Sequence, residues 1–157
     1  MPRLEIHTKI RAPQELVFDL ARSIDLHEIS TEHTGERAIG GRTTGLIGRD
    51  EIVTWRARHF GIYQTLTSKI TAFERPHFFV DEMQKGIFKA FRHEHHFATL
   101  DNTTLMTDSF TYTSPYGVFG QLADMLFLRR YMTRFLIKRN RTVQKFAESD
   151  QWQTLIP

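Results

Sequence analysis

Three residues in the middle of the chain have the types and spacing to do chemistry: His93, His95 and Asp108. Histidines two apart on a strand project from one face, so His93 and His95 can act together. A neutral imidazole can ligate a metal or carry a proton near neutral pH. His93-Glu94-His95-His96 could therefore chelate a metal, with Asp108 or His59 as a third ligand. No second metal motif accompanies the pair. The sequence accordingly favours histidines that line or seal a ligand pocket by hydrogen bonding, with no metal and no cofactor. Asp108 could also work with His93 or His95 as an acid/base pair, although a structural hydrogen bond asks for less.

Other chemistries are excluded or weak. The chain of 157 residues has no cysteine, which rules out disulfides, thiolate metal sites and a cysteine nucleophile. Gly40-Gly41-Arg42-Thr43-Thr44-Gly45 lacks the Gly-Lys-Ser/Thr ending of a phosphate loop, and a strand follows where a helix N-terminus is needed. There is no Gly-x-Ser-x-Gly nucleophile turn. The net charge of +3 is unevenly spread: Gly117 to Glu148 holds seven Lys/Arg against two acidic residues. Such a face can attract anions, but it lacks interleaved stacking aromatics, so no nucleic-acid partner is expected. Met1 to Glu5 is charged where a signal peptide would be apolar, and no run approaches the ~18 residues of a membrane span. The expectation is a cytoplasmic protein with no transmembrane segment.

The elements that must position these residues follow from periodicity. Leu4, Ile6, Thr8 and Ile10 alternate with polar residues and predict a first strand. Ala12-Pro13-Gln14-Glu15 opens a helix, and Ser23 to Ile29 a second short one. Five glycines between Gly35 and Gly48 suit tight turns between short strands. Strand-like runs then cover 51–60, 63–73, 77–85, 87–100 and 103–114, joined by short turns that require antiparallel neighbours. From Gly117 to Glu148, apolar residues at Val118, Leu122, Met125, Leu126, Met132, Phe135, Leu136, Val143 and Phe146 are spaced by three and four. They predict one amphipathic helix about 48 Å long at 1.5 Å per residue. Residues 1–150 form a single domain in this reading, and 151–157 a C-terminal tail.

Alternation also sorts the strand faces. Val53, Trp55, Ala57 and His59 should face inward. So should Leu66, Ser68, Ile70 and Ala72, then Phe91, His93, His95 and Phe97, and finally Met106, Asp108, Phe110 and Tyr112. The 77–85 run is ambiguous, with Phe79, Asp81 and Met83 competing against Phe78, Val80 and Glu82. A sheet that curls around a long helix leaves a pocket between them. Phe supplies 13 of the aromatic residues, and several fall on the inward sets.

Several stretches carry a family resemblance: Trp55 to Gly61, Ile70 to Pro76, Phe79 with Asp81-Glu82-Met83, Gly86 with Phe88, His93 to Phe97, Asp108 with Tyr112, and Pro115-Tyr116-Gly117. With the opening Ile10 to Phe18, they resemble the SRPBCC (START-like, birch-pollen-allergen-like) superfamily, and within it a bacterial ligand-binding or polyketide cyclase/dehydrase-like group. The resemblance implies an α+β helix-grip fold: a seven-stranded antiparallel sheet around a long C-terminal helix, with two short helices after the first strand and a hydrophobic cavity. It implies no single reaction.

The first expectation is binding of a small hydrophobic molecule of lipid, polyketide or aromatic type. Trp55, His59, Phe91, His93, His95, Asp108, Phe110 and Tyr112 would line the sheet side, and Met125, Met132 and Phe135 the helix side. The alternatives are a cyclase/dehydratase-type enzyme using His93/His95 and Asp108, or an interaction module. In the latter, the basic helix or the apolar run Met125-Leu126-Phe127-Leu128 would meet a partner or pack a homodimer.

Overall fold

The computed structural model describes residues 2–157. Met1, the first residue of the expected domain, lies outside them. β1 (Arg3–Ile10) keeps the alternation that predicted it, with Leu4 and Ile10 buried. α1 (Gln14–Ala21) follows Pro13 with Glu15 in its first turn, where an acid suits the helix dipole. α2 (Ile24–Ser30) is capped by Ser23, whose side chain accepts the Leu26 N–H at 3.1 Å.

The sheet continues with β2 (Arg37–Gly41), β3 (Ile52–His59), β4 (Ile62–Glu74), β5 (Phe78–Lys85), β6 (Ala90–Leu100) and β7 (Thr103–Thr113). The seven strands run antiparallel in the order β1-β7-β6-β5-β4-β3-β2. The chain thus crosses from one sheet edge to the other through α1 and α2, which cap one end. The C-terminal helix packs on α1, α2 and β1 within the curve of the sheet. This is the helix-grip arrangement the sequence predicts.

The C-terminal helix is one rod with a change of winding. α3 (Gly117–Ala123) passes through a five-residue π turn, Asp124–Leu128, into α4 (Arg129–Ala147). Gly120 must be glycine, because a Cβ there would sit 1.8 Å from the Pro115 carbonyl oxygen.

Two expectations change. A bulge between Ile70 and Ala72 shifts the β4 register, so beyond it Phe73, rather than Ala72, turns to the core and meets the Phe18 ring edge-on. In the first third of the C-terminal helix the expected apolar stripe does not face inward: Val118, Leu122, Met125 and Leu126 are all exposed. Residues 151–157, the expected C-terminal tail, lead through a short 3-10 turn and lay Trp152, Leu155 and Ile156 against the core.

Candidate functional site

A cavity of about 750 Å³ separates the concave sheet face from the C-terminal helix. Val53, Trp55, Ile70, Phe91 and Phe110 form its sheet wall, and Met132, Phe135 and Leu136 its helix wall. Its exposed apolar lining residues are Phe60 after β3, Ile87 after β5, and Tyr116 and Phe119 after β7. All three connections lie at one end of the sheet, so the mouth is there.

One polar layer crosses this apolar interior. Along β6, Phe91 and Phe97 bracket His93 and His95; along β7, Phe110 and Met106 bracket Asp108; along β5, Met83 and Phe79 bracket Asp81; along α4, Leu136 and Val143 bracket Arg139 and Asn140. The register sets Asp81 opposite His93 and His95 opposite Asp108. The hydrogen bonds run diagonally. His93 Nε2 donates to Asp108 Oδ1 at 2.8 Å, and His95 Nε2 donates to Asp81 Oδ2 at 2.8 Å. The two imidazoles stack with centroids 3.8 Å apart. Asn140 Nδ2 donates to Asp108 Oδ2 at 2.6 Å, and an Arg139 nitrogen lies 3.7 Å from Asp108 Oδ1. His95 Nδ1 lies 3.3 Å from Asp108 Oδ1 but off the hydrogen-bonding angle, without a partner among the described residues.

Burial alone would protonate both carboxyls. Against that pressure, the His93 hydrogen bond and the adjacent His95 ring hold the Asp108 carboxyl well below its ordinary range, and His95 with His93 lowers that of Asp81. Burial depresses the His93 pKa, helped by its neighbour His95. Burial pulls on His95 too, but the nearby Asp108 carboxylate and the hydrogen bond to Asp81 outweigh it and raise its pKa. The layer therefore sets two carboxylates against two histidines and the Arg139 guanidinium.

A second polar group flanks the cavity. His27 Nε2 lies 2.7 Å from Glu36 Oε1, and its ring packs on Trp55. His59 Nδ1 is hydrogen-bonded to the Tyr131 hydroxyl. Burial lowers the His59 pKa, which suits a neutral ring accepting the phenolic proton. Ser114 Oγ, buried in the lining, has no partner among the described residues.

Of the residues singled out from the sequence, Trp55, His59, Phe91, His93, His95, Phe110, Met132 and Phe135 line the cavity. Asp108 and Tyr112 have no exposed surface and sit behind that lining; the Tyr112 hydroxyl is bonded to Asp124. Met125 points to solvent and is absent from the walls. Asp81, Arg139, Glu36 and His27 are not among the expected residues and do line the cavity. Arg139 is readable: it falls three after Leu136 and four before Val143, on the inward stripe. Asp81 shares the Phe79/Met83 face that the sequence leaves undecided.

No family model matches the chain, and no curated protein matches it. Solved structures do. A protein from Thermus thermophilus superposes with a TM-score of 0.74 at 16% identity, over 92% of this chain and 95% of that one. Ginseng major latex-like protein 151 from Panax ginseng gives 0.69 at 16% identity, over 94% and 98%. The di-domain ARO/CYC StfQ of the steffimycin biosynthetic pathway gives 0.74 at 13% identity, over 93% of this chain and 50% of that one. These likenesses show the fold alone, a helix grip.

Proposed function

We propose that the protein binds a small hydrophobic molecule in this cavity, its polar end directed at the layer of Asp81, His95 and Arg139. The carrying observation is the cavity itself, about 750 Å³ and walled by aromatic and aliphatic side chains. A ligand that removes such walls from water gains about 25 cal/mol per Å² of apolar area. The charged layer, the His59–Tyr131 pair and Ser114 Oγ would fix its orientation. Two of the solved relatives, a major latex-like protein and an ARO/CYC protein of a biosynthetic pathway, make a polyketide or other aromatic molecule a sensible first choice.

Thermal-shift screening against lipids, polyketides and aromatic acids tests this. At a hundredfold excess over Kd, a ligand specific for the folded state adds about 2.7 kcal/mol. For a domain of this size that is a rise in Tm of roughly 5–10 °C. A screen in which no hydrophobic compound raises Tm or changes Trp55 fluorescence rejects the reading.

The acid/base alternative survives in altered form. Asp108 does not reach the cavity, so Asp81, His93 and His95 are the groups that could touch a substrate. Turnover of a bound ligand that persists in Asp81→Asn would exclude it.

A further inference from the structure

We propose that Asp81, His93 and His95 form a binding site for one divalent transition-metal ion, with Asp108 as the shared outer carboxylate. Asp81 Oδ2, one nitrogen of His93 and one of His95 all lie within 4.8 Å of one another. All three side chains face the cavity. His95 Nε2 is 2.8 Å and His93 Nδ1 is 4.0 Å from Asp81 Oδ2. Metal bonds of about 2.0–2.2 Å impose ligand separations of roughly 3–3.5 Å, so shifts of less than about 1 Å converge the set.

The tautomers point the same way. His93 gives its Nε2 proton to Asp108, which leaves its Nδ1 lone pair turned towards Asp81 Oδ2. Two acceptors face each other there, an arrangement that a cation between them would satisfy. His93 donates its other nitrogen's proton to Asp108 Oδ1 at 2.8 Å, and His95 Nδ1 lies 3.3 Å from the same oxygen, off the hydrogen-bonding angle. A carboxylate behind a ligating histidine fixes the ring and raises its basicity. Asn140 and Arg139 in turn hold Asp108. The donors sit on adjacent, directly paired strands, a rigid frame of the kind a metal site needs.

Two imidazoles and one carboxylate suit a first-row ion such as Fe²⁺, Co²⁺ or Zn²⁺ more than Mg²⁺ or Ca²⁺. The remaining coordination positions open into the apolar cavity, where a bound molecule with an anionic oxygen would fill them. His95 Nε2 exchanges its proton for the metal. The sequence argues against a metal because no second motif accompanies the histidine pair. The third ligand comes instead from β5, whose inward face it leaves open.

The test is a titration of untagged, chelator-stripped protein with Co²⁺ and Zn²⁺ in the absence of any hydrophobic ligand. It reads Co²⁺ visible absorption and Zn²⁺ calorimetry. The expected result is one ion per chain at micromolar affinity or tighter, undisturbed by millimolar Mg²⁺. His95→Ala should abolish it, and Asp108→Asn should weaken it about 10–100-fold. Asp81→Asn, which keeps an oxygen acceptor for the His95 N–H, should weaken binding in a variant that still melts cooperatively. No absorption band up to millimolar Co²⁺ overturns the proposal, as does unchanged affinity in Asp81→Asn. Failure here leaves hydrophobic ligand binding untouched, since that reading is tested without metal.

Discussion

Asp108 shows what single residues contribute to this interior. It has no exposed surface, yet it bonds His93 and Asn140 and faces Arg139. Replacing it with Ala would leave a buried guanidinium and a buried imidazole N–H without their carboxylate. The expected cost is about 3–5 kcal/mol, read as a lower urea midpoint at an unchanged m-value. A second carboxylate predicts the acid limit of stability. Burial pushes the Asp19 carboxyl up, but hydrogen bonds from Arg75 and Arg22 overcome it and leave the pKa lowered. A lowered folded-state pKa stabilises above the unfolded value of about 3.9 and is lost as pH falls through the folded value. Thermal melts should therefore lose stability in that acid window, and Asp19→Asn should be less stable at neutral pH but flatter across it. The sequence brings His93, His95 and Asp108 together because strand alternation needs only counting. It leaves Asp81 open, because both faces of the 77–85 run carry an acid among apolar residues.

At the scale of elements, the strands are the legible part, since a period of two fixes faces without knowledge of what lies opposite. That period fails at the β4 bulge, where one extra residue reverses the alternation. The C-terminal helix misleads for another reason. Helical spacing identifies a common face, not whether anything packs on it. The π turn also changes the phase, so the inward positions run Gly120, Asp124, Leu128, Met132, Leu136 in steps of four. One helix thus offers an internal comparison. Leu136 is buried and should cost about 2–5 kcal/mol when cut to Ala. Leu126, on the same rod, is exposed, and Leu126→Gln should stay within about 0.5 kcal/mol of wild type in the same urea titration.

Across the whole molecule, the apolar interior is two clusters rather than one. The larger gathers Phe18, Trp55, Phe79, Phe97, Met106 and Val143 under α1, α2 and the end of α4. The smaller gathers Leu4, Phe91, Phe110, Tyr112 and Leu136 nearer the mouth. The charged layer and the cavity lie between them. The sequence implies an apolar pocket but not this division, because the polar residues of the layer come from four elements, β5, β6, β7 and α4, and only the fold aligns them. The division has a mechanical consequence. Compression favours whichever state removes internal void, and a folded chain that encloses one has the larger volume. Hydrostatic pressure should therefore unfold this protein more readily than a solid domain of equal length. A molecule seated in the cavity should raise the midpoint pressure, whereas Leu136→Ala, which enlarges the void, should lower it. High-pressure fluorescence of Trp55, at the cavity wall, would follow both.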